Sequence, residues 1–218
     1  MHPNPIYKHA TNAENIAFAR ELGFGMLAIA HNGAPLLSHI PFLLCEDGKS
    51  AEFHLVRSNP IARACKDPEL DTIPAKLAIS GPHSYVSPDW YGTENQVPTW
   101  NYVAVHLTGT LTAQPAESLL DLLDRQSALF EDRLAPKPPW LSGKVDPRAL
   151  EKMMRMISPF KMQIDTVEGT WKLNQNKPDT VRNSAADHIN AYGFGNDPRL
   201  LSAMMRTPPV AKSSDVKS

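Results

Sequence analysis

Val97-Pro98-Thr99-Trp100-Asn101-Tyr102-Val103-Ala104-Val105-His106 is the stretch whose reading decides the fold. Pro98 fixes its own φ and pushes Val97 towards extended geometry, after which β-branched and aromatic residues run on with a period of two. The stretch therefore reads as a strand. One face carries Asn101, Val103, Val105, Leu107 and Leu111, and the other carries Trp100, Tyr102, Ala104, His106, Thr108 and Thr110. The second face mixes flat rings with hydrogen-bonding tips, as a wall beside a planar, heteroatom-rich ligand requires. A barrel strand whose Trp and Tyr simply pack is the competing reading.

Working outward towards the N-terminus, the chain opens with an extended arm and then Thr11-Asn12-Ala13-Glu14, a capping-box pattern that predicts a helix over about 12–22, ended by Gly23. Gly25 to Ala30 and Leu36 to Leu44 read as strands joined by the turn signal His31-Asn32-Gly33. Ser38, Ile40, Phe42 and Leu44 share one face of the second, while Pro41 marks an edge, a bulge or a closure point. Asp47-Gly48 is a further turn before a strand from Ala51 to Val56. Three strand-turn units in succession predict an antiparallel sheet that closes as a barrel.

The next loop, His54-Leu55-Val56-Arg57-Ser58-Asn59-Pro60, leads into Ile61-Ala62-Arg63-Ala64. Ser58 or Asn59 can cap a helix with Pro60 in its first turn, presenting an Arg, a hydroxyl and an amide beside unpaired N–H groups. That is a recipe for holding a phosphate. An ordinary capped turn with one solvated Arg is the competing reading, and the turn by itself favours it. Residues 75–80 read as a fourth strand, and Gly81 to Tyr91 as a loop rich in Pro, Tyr, Ser and Trp that folds over a ligand or a partner subunit.

Beyond the central strand the character changes. Residues 116–133 predict an amphipathic helix, ended by Pro136-Lys137-Pro138-Pro139. Asp146-Pro147 starts a helix to about 157 whose methionines serve packing. Met162 to Trp171 reads as a strand that runs into the amide-rich Lys172-Leu173-Asn174-Gln175-Asn176-Lys177, which can read a heterocycle's edge or cap the helix expected over about 179–191. Asp197-Pro198 begins a last short helix, and residues 207–218 are expected to be a disordered tail.

Composition bounds the function. A chain of 218 residues can bury a substantial core, and a formal net charge of -1 does not recommend its surface for nucleic acid or anionic membrane. Cys45 and Cys65 are too few for a disulfide framework and fit a reducing cytoplasm. No apolar run approaches a membrane span, and the N-terminal residues lack a signal-peptide pattern, so a cytoplasmic, soluble protein is expected. The eight histidines show no ligand spacing, and no metal is expected.

Four of these elements together resemble a known family. His54 to Pro60 is similar to a His-x-x-Arg-x-Asn-Pro element, Gly81 to Tyr91 to Gly-Pro-x-x-Tyr-x-Ser-Pro-x-Trp-Tyr, Val97 to Tyr102 to Val-Pro-Thr-Trp-Asn-Tyr, and Lys172 to Lys177 to Lys-Leu-x-Gln-Asn-Lys. In this order they resemble the PaiB family, FMN-binding negative transcriptional regulators, across about residues 1–205. Asn174 departs from the small hydroxyl residue the pattern carries there. The resemblance implies an α+β fold, an antiparallel FMN-binding split barrel with helical decorations over residues 1–206, forming a homodimer with flavin at the subunit interface. It implies an FMN phosphate near Arg57, Ser58 and Asn59. The ribityl chain and ring edge would then lie along Ser38, His39, Ile40, His54 and Leu55, with Trp100, Asn101 and Tyr102 supplied across the dimer and Lys172 and Gln175 as further contacts.

The function so implied is regulatory or redox-sensing. A flavin-dependent oxidoreductase acting with NAD(P)H or another small molecule is the alternative, with His39, His83 or His106 available for proton transfer. Direct DNA binding would follow from the family's regulatory role, yet no helix pair with a basic face stands out.

Overall fold

A computed structural model describes residues 1–66 and 72–210. The helices are α1 (Asn12–Leu22), α2 (Pro60–Ala64), α3 (Leu119–Glu131), α4 (Pro147–Met154), α5 (Asp179–Tyr192) and α6 (Pro198–Arg206). The strands are β1 (Phe24–His31), β2 (Ala34–Pro41), β3 (Leu43–Leu44), β4 (Ser50–Val56), β5 (Ile73–Val86), β6 (Thr99–Ala113), β7 (Ile157–Lys172) and β8 (Gly195–Asn196). They join in the order β2-β1-β5-β6-β7-β4-β3, with β8 added to β5.

This order is an open path, which corrects the expectation of a closed barrel and leaves the split architecture. The reason lies at Pro41 and Phe42. Pro41 has no N–H to donate, and the Phe42 N–H donates to the Gly23 carbonyl at 2.9 Å as a last bond of the β1–β2 ladder, one step beyond the Phe24↔Pro41 pair. The strand expected to run from 36 to 44 therefore stops, and the two residues of β3 restart against β4.

The chain divides into two compact units. One comprises residues 20–78 and 107–166. Its β1–β2 hairpin turns on Asn32 and Gly33, both at positive φ, as a two-residue primed turn requires. Ile40, Phe42, Leu44, Phe53, Leu55, Leu107, Leu111, Phe160 and Met162 are buried in it. β4 pairs with β7 from Ser50↔Gln163 to Val56↔Ile157, which fixes where the turn after β4 emerges. Gly109 has no room for a side chain, since a Cβ there would lie 1.8 Å from the Gln163 carbonyl oxygen.

The other unit comprises residues 1–19, 79–106 and 167–218. Thr11 and Glu14 form the expected capping box, with Thr11 N–H donating to Glu14 Oε2 (2.6 Å) and Glu14 N–H to Thr11 Oγ1 (3.2 Å). Its core is Val86, Tyr91, Val103 and Leu173 with Ala185, Ala186 and Ile189 of α5 and Leu201 and Met205 of α6. Residues 81–86, read from sequence as part of a Pro-, Tyr-, Ser- and Trp-rich loop, continue β5 instead: burial alternates from Pro82 to Val86 and β8 pairs with His83 and Ser84. Of the expected tail, residues 207–210 follow α6 and 211–218 lie outside the described residues. Among the described residues no helix is long and apolar enough to cross a membrane.

Candidate functional site

The turn after β4 builds the first group of candidate residues, all in the unit of residues 20–78 and 107–166. Asn59 is the N-cap of α2: its Oδ1 accepts from the Ile61 N–H at 2.9 Å, and its Nδ2 donates to Ser38 Oγ at 2.9 Å. One amide thus ties the turn to β2. Arg57 is held from its backbone, where its N–H donates to the Met156 carbonyl (2.9 Å), and through Nε, which donates to the Ile157 carbonyl (3.2 Å). Its two terminal nitrogens have no carboxylate partner among the described residues, and Arg57 and Ser58 are both exposed. α2 is only five residues long, so what this turn offers an anion is the guanidinium and the hydroxyl rather than a helix dipole.

The neighbouring strand positions divide by pleat. Ile40 and Leu55 are buried, so only their main chain can meet a ligand, whereas His39 is exposed and its ring stacks on Phe24 at 6.4 Å. His54 is half-buried with Nδ1 buried and unpartnered. Burial pushes its pKa below the ordinary value, and a hydrogen bond with the Gln126 side chain pulls the other way.

The second group lies in the other unit. Trp100, still 44% exposed, sits among rings: His83 at 6.1 Å, Tyr85 at 6.2 Å and Phe194 at 5.6 Å. Tyr102 lies on the same face, half-buried, and burial raises its phenol pKa. Asn101 points the opposite way, fully buried, with Nδ2 against Met205 Sδ at 3.4 Å and Oδ1 unpartnered. Gln175 braces its own turn, Oε1 accepting from the Leu173 N–H (2.8 Å) and Nε2 donating to the Trp171 carbonyl (2.5 Å). Asn174 takes positive φ (+63°), which Asn tolerates better than most residues, and its buried amide pairs with the Tyr91 hydroxyl.

Lys172 lies at the end of β7 and opens onto a cavity of about 240 Å³ that the residue patterns did not reveal. Lys177, Gln96, Thr99, Tyr91 and His2 also line it. These residues come from the N-terminal arm, the approach to β6 and the turn after β7. Only the uncompensated charges of the 172–177 run could have signalled it. Phe194 and His188 of the aromatic cluster were equally silent in the sequence, because tertiary packing alone brings them to Trp100 and Trp90.

Comparison with known proteins agrees with the fold. Residues 1–166 match a family model described as "Putative FMN-binding domain". The chain is 33% identical over 182 residues to the protease synthase and sporulation protein PAI 2 of Bacillus subtilis (strain 168), covering 81% of this chain and 83% of the relative. Among solved structures it resembles the FAD and heme binding protein from Mycobacterium smegmatis, with a TM-score of 0.55 at 15% identity over 85% of this chain and 80% of that one. A conserved hypothetical protein from Mycobacterium tuberculosis gives a TM-score of 0.53 at 12% identity, over 79% of this chain and 91% of that one. Both structural likenesses speak to the fold.

Proposed function

Since this chain belongs to that family of FMN-binding domains and is related to PaiB-type proteins, we propose that it is a cytoplasmic flavoprotein that grips the phosphate of FMN at Arg57, Ser58 and Asn59. The observation that carries the reading is the state of that turn. An arginine is fixed by its backbone and Nε while its terminal nitrogens stay free of any described carboxylate, beside an exposed hydroxyl and an Asn59–Ser38 brace. A charge so prepared and so unpaired suits a ligand that brings its own negative charge.

The residues present fit a phosphorylated flavin. Ser38, His39 and His54 offer polar groups along β2 and β4, and Ile40 and Leu55 contribute main chain. Trp100 and Tyr102 offer rings to a flat ligand, and the exposure of Trp100 supports a role towards the partner subunit of a homodimer. Asn101 and Gln175 act inside their own unit in this reading, since burial occupies one and the local turn the other. Bound flavin supplies redox chemistry, while this chain binds and orients it and limits what approaches. We assign the protein a regulatory or redox-sensing role in line with its PaiB-type relatives.

The test is fluorescence titration of flavin-free protein with FMN. Saturable quenching with one equivalent per chain and a Kd in the micromolar range or tighter is expected, and no quenching would remove the reading. Anaerobic addition of NADH or NADPH then separates a sensor from a reductase: rapid bleaching of the flavin band by either donor would favour the enzyme.

A further inference from the structure

The cavity at the end of β7, walled also by the N-terminal arm and the approach to β6 within the unit of residues 1–19, 79–106 and 167–218, holds two ammonium groups and no carboxylate. Lys172 is half-buried and donates from Nζ to Thr99 Oγ1. Lys177 donates to Gln96 Oε1, and its Nζ lies 4.9 Å from the centre of the Tyr91 ring. Neither lysine forms an ion pair among the described residues, and no Asp or Glu lines the cavity. Burying a charge is costly unless it is paired, and a neutral hydroxyl or amide oxygen compensates an ammonium only in part. The surroundings register the imbalance: burial lowers the pKa of Lys172, and burial together with the Lys172 charge lowers that of His2. Asn176 accepts a hydrogen bond from the Tyr7 hydroxyl at 3.3 Å through Oδ1, leaving its amide NH₂ unengaged among the described residues.

We infer that this cavity is a binding site for a small oxyanion, a carboxylate or a phosphate group, held by Lys172 and Lys177. Its size sets the class of ligand. About 240 Å³ falls below the roughly 300 Å³ where sites for drug-sized molecules begin. That size suits a short organic acid or a phosphate ester of a few carbons better than a whole flavin nucleotide. The inference stands on this unit's geometry and does not require the flavin reading. Lys172 is the one residue the two readings share, so Lys177 carries the decisive variant.

The experiment is calorimetric titration of the full-length protein at low ionic strength with inorganic phosphate and, separately, with succinate. Saturable binding of at least one probe is expected, weakened about tenfold or more by Lys177→Met, as loss of a hydrogen bond to a charged group implies. In an Arg57→Ala background, which removes the grip proposed at the β4 turn, it should be abolished in Lys172→Met/Lys177→Met and largely retained in Lys177→Arg, which keeps the charge and guards against a merely misfolded variant. Arg57→Ala should leave the anion bound while weakening FMN. The probe that binds more tightly identifies the oxyanion class. No saturation by either probe up to tens of millimolar, or binding in an Arg57→Ala background that survives the double lysine variant, would overturn the inference. Loss of phosphate binding in Arg57→Ala would likewise overturn it, by moving the anion to the β4 turn and leaving the flavin reading intact.

Discussion

Arg57 and His54 are three residues apart and prepare the same turn by opposite means, one by offering charge and the other by withholding it. Arg57→Ala removes the terminal nitrogens to which the proposed site assigns the FMN phosphate. A charge-assisted, two-pronged contact of this kind contributes about 1.5–3 kcal/mol, so FMN affinity measured by fluorescence titration should fall roughly ten- to hundredfold. His54 has a pKa pushed down mainly by burial, so in the folded protein it stays neutral where an unfolded chain's imidazole, titrating near 6.5, takes up a proton. The unfolded state then binds more protons, and stability falls as the pH drops below about 6.5 towards the depressed folded value. His2 shifts in the same direction, so the His54 contribution is read as a difference. Urea unfolding at pH 7.5 and 5.5 should show a smaller loss of stability for His54→Gln than for the parent chain. Equal losses in both would remove burial of His54 as the cause. The turn itself was legible residue by residue because Asx capping, N1 proline and arginine chemistry are local. The orphaned Nδ1 of His54 was not, because it depends on what α3 lays over β4.

At the scale of elements, β6 shows what a period of two can and cannot tell. Its alternation was readable, and Asn101, Val103, Val105, Leu107 and Leu111 are all buried. Its closest approach to a neighbour was not, because a glycine is an absence of pattern. Gly109 lies where a Cβ would meet main-chain atoms of Gln163 and Ile164, none of which can rotate aside. Gly109→Ala should therefore destabilise by on the order of 3 kcal/mol or more, seen as a shifted urea midpoint with little change in slope. A shift no larger than that of an ordinary surface substitution would mean that the strands separate easily there. β7 has a similar device at Gly169, where a Cβ would fall 2.0 Å from the Asn15 side-chain oxygen. That oxygen accepts the Trp171 indole N–H at 2.8 Å, so the small residue leaves room for a buried Asn–Trp hydrogen bond. Capping boxes, turns and helix starts were placed correctly from sequence for the same physical reason: each is settled within four residues. The extents of β5 and β7 were not, since strand pairing decides them.

For the molecule as a whole, a ligand that binds only the folded form must stabilise it. At a free FMN concentration about a hundred times Kd the gain is about 2.7 kcal/mol, which for a chain of this size raises Tm by roughly 5–10 °C. The same FMN concentration should give a distinctly smaller rise with Arg57→Ala, since its Kd is weaker. The open edge of the sheet and the exposed rings of Trp100 and Phe194, 44% and 58% accessible, are features a second copy can cover. If the flavin site is completed by a partner subunit, flavin affinity is linked to association. Light scattering should then give twice the chain mass at micromolar concentration. FMN should bind progressively more weakly as the protein is diluted through its dimer dissociation range, and added FMN should move that range to lower concentration by the same factor, because the two equilibria share one coupling free energy. Trp100→Ala should weaken association and FMN binding together. An FMN affinity independent of protein concentration across the monomer–dimer transition would assign the whole grip to one chain, and Trp100 to packing.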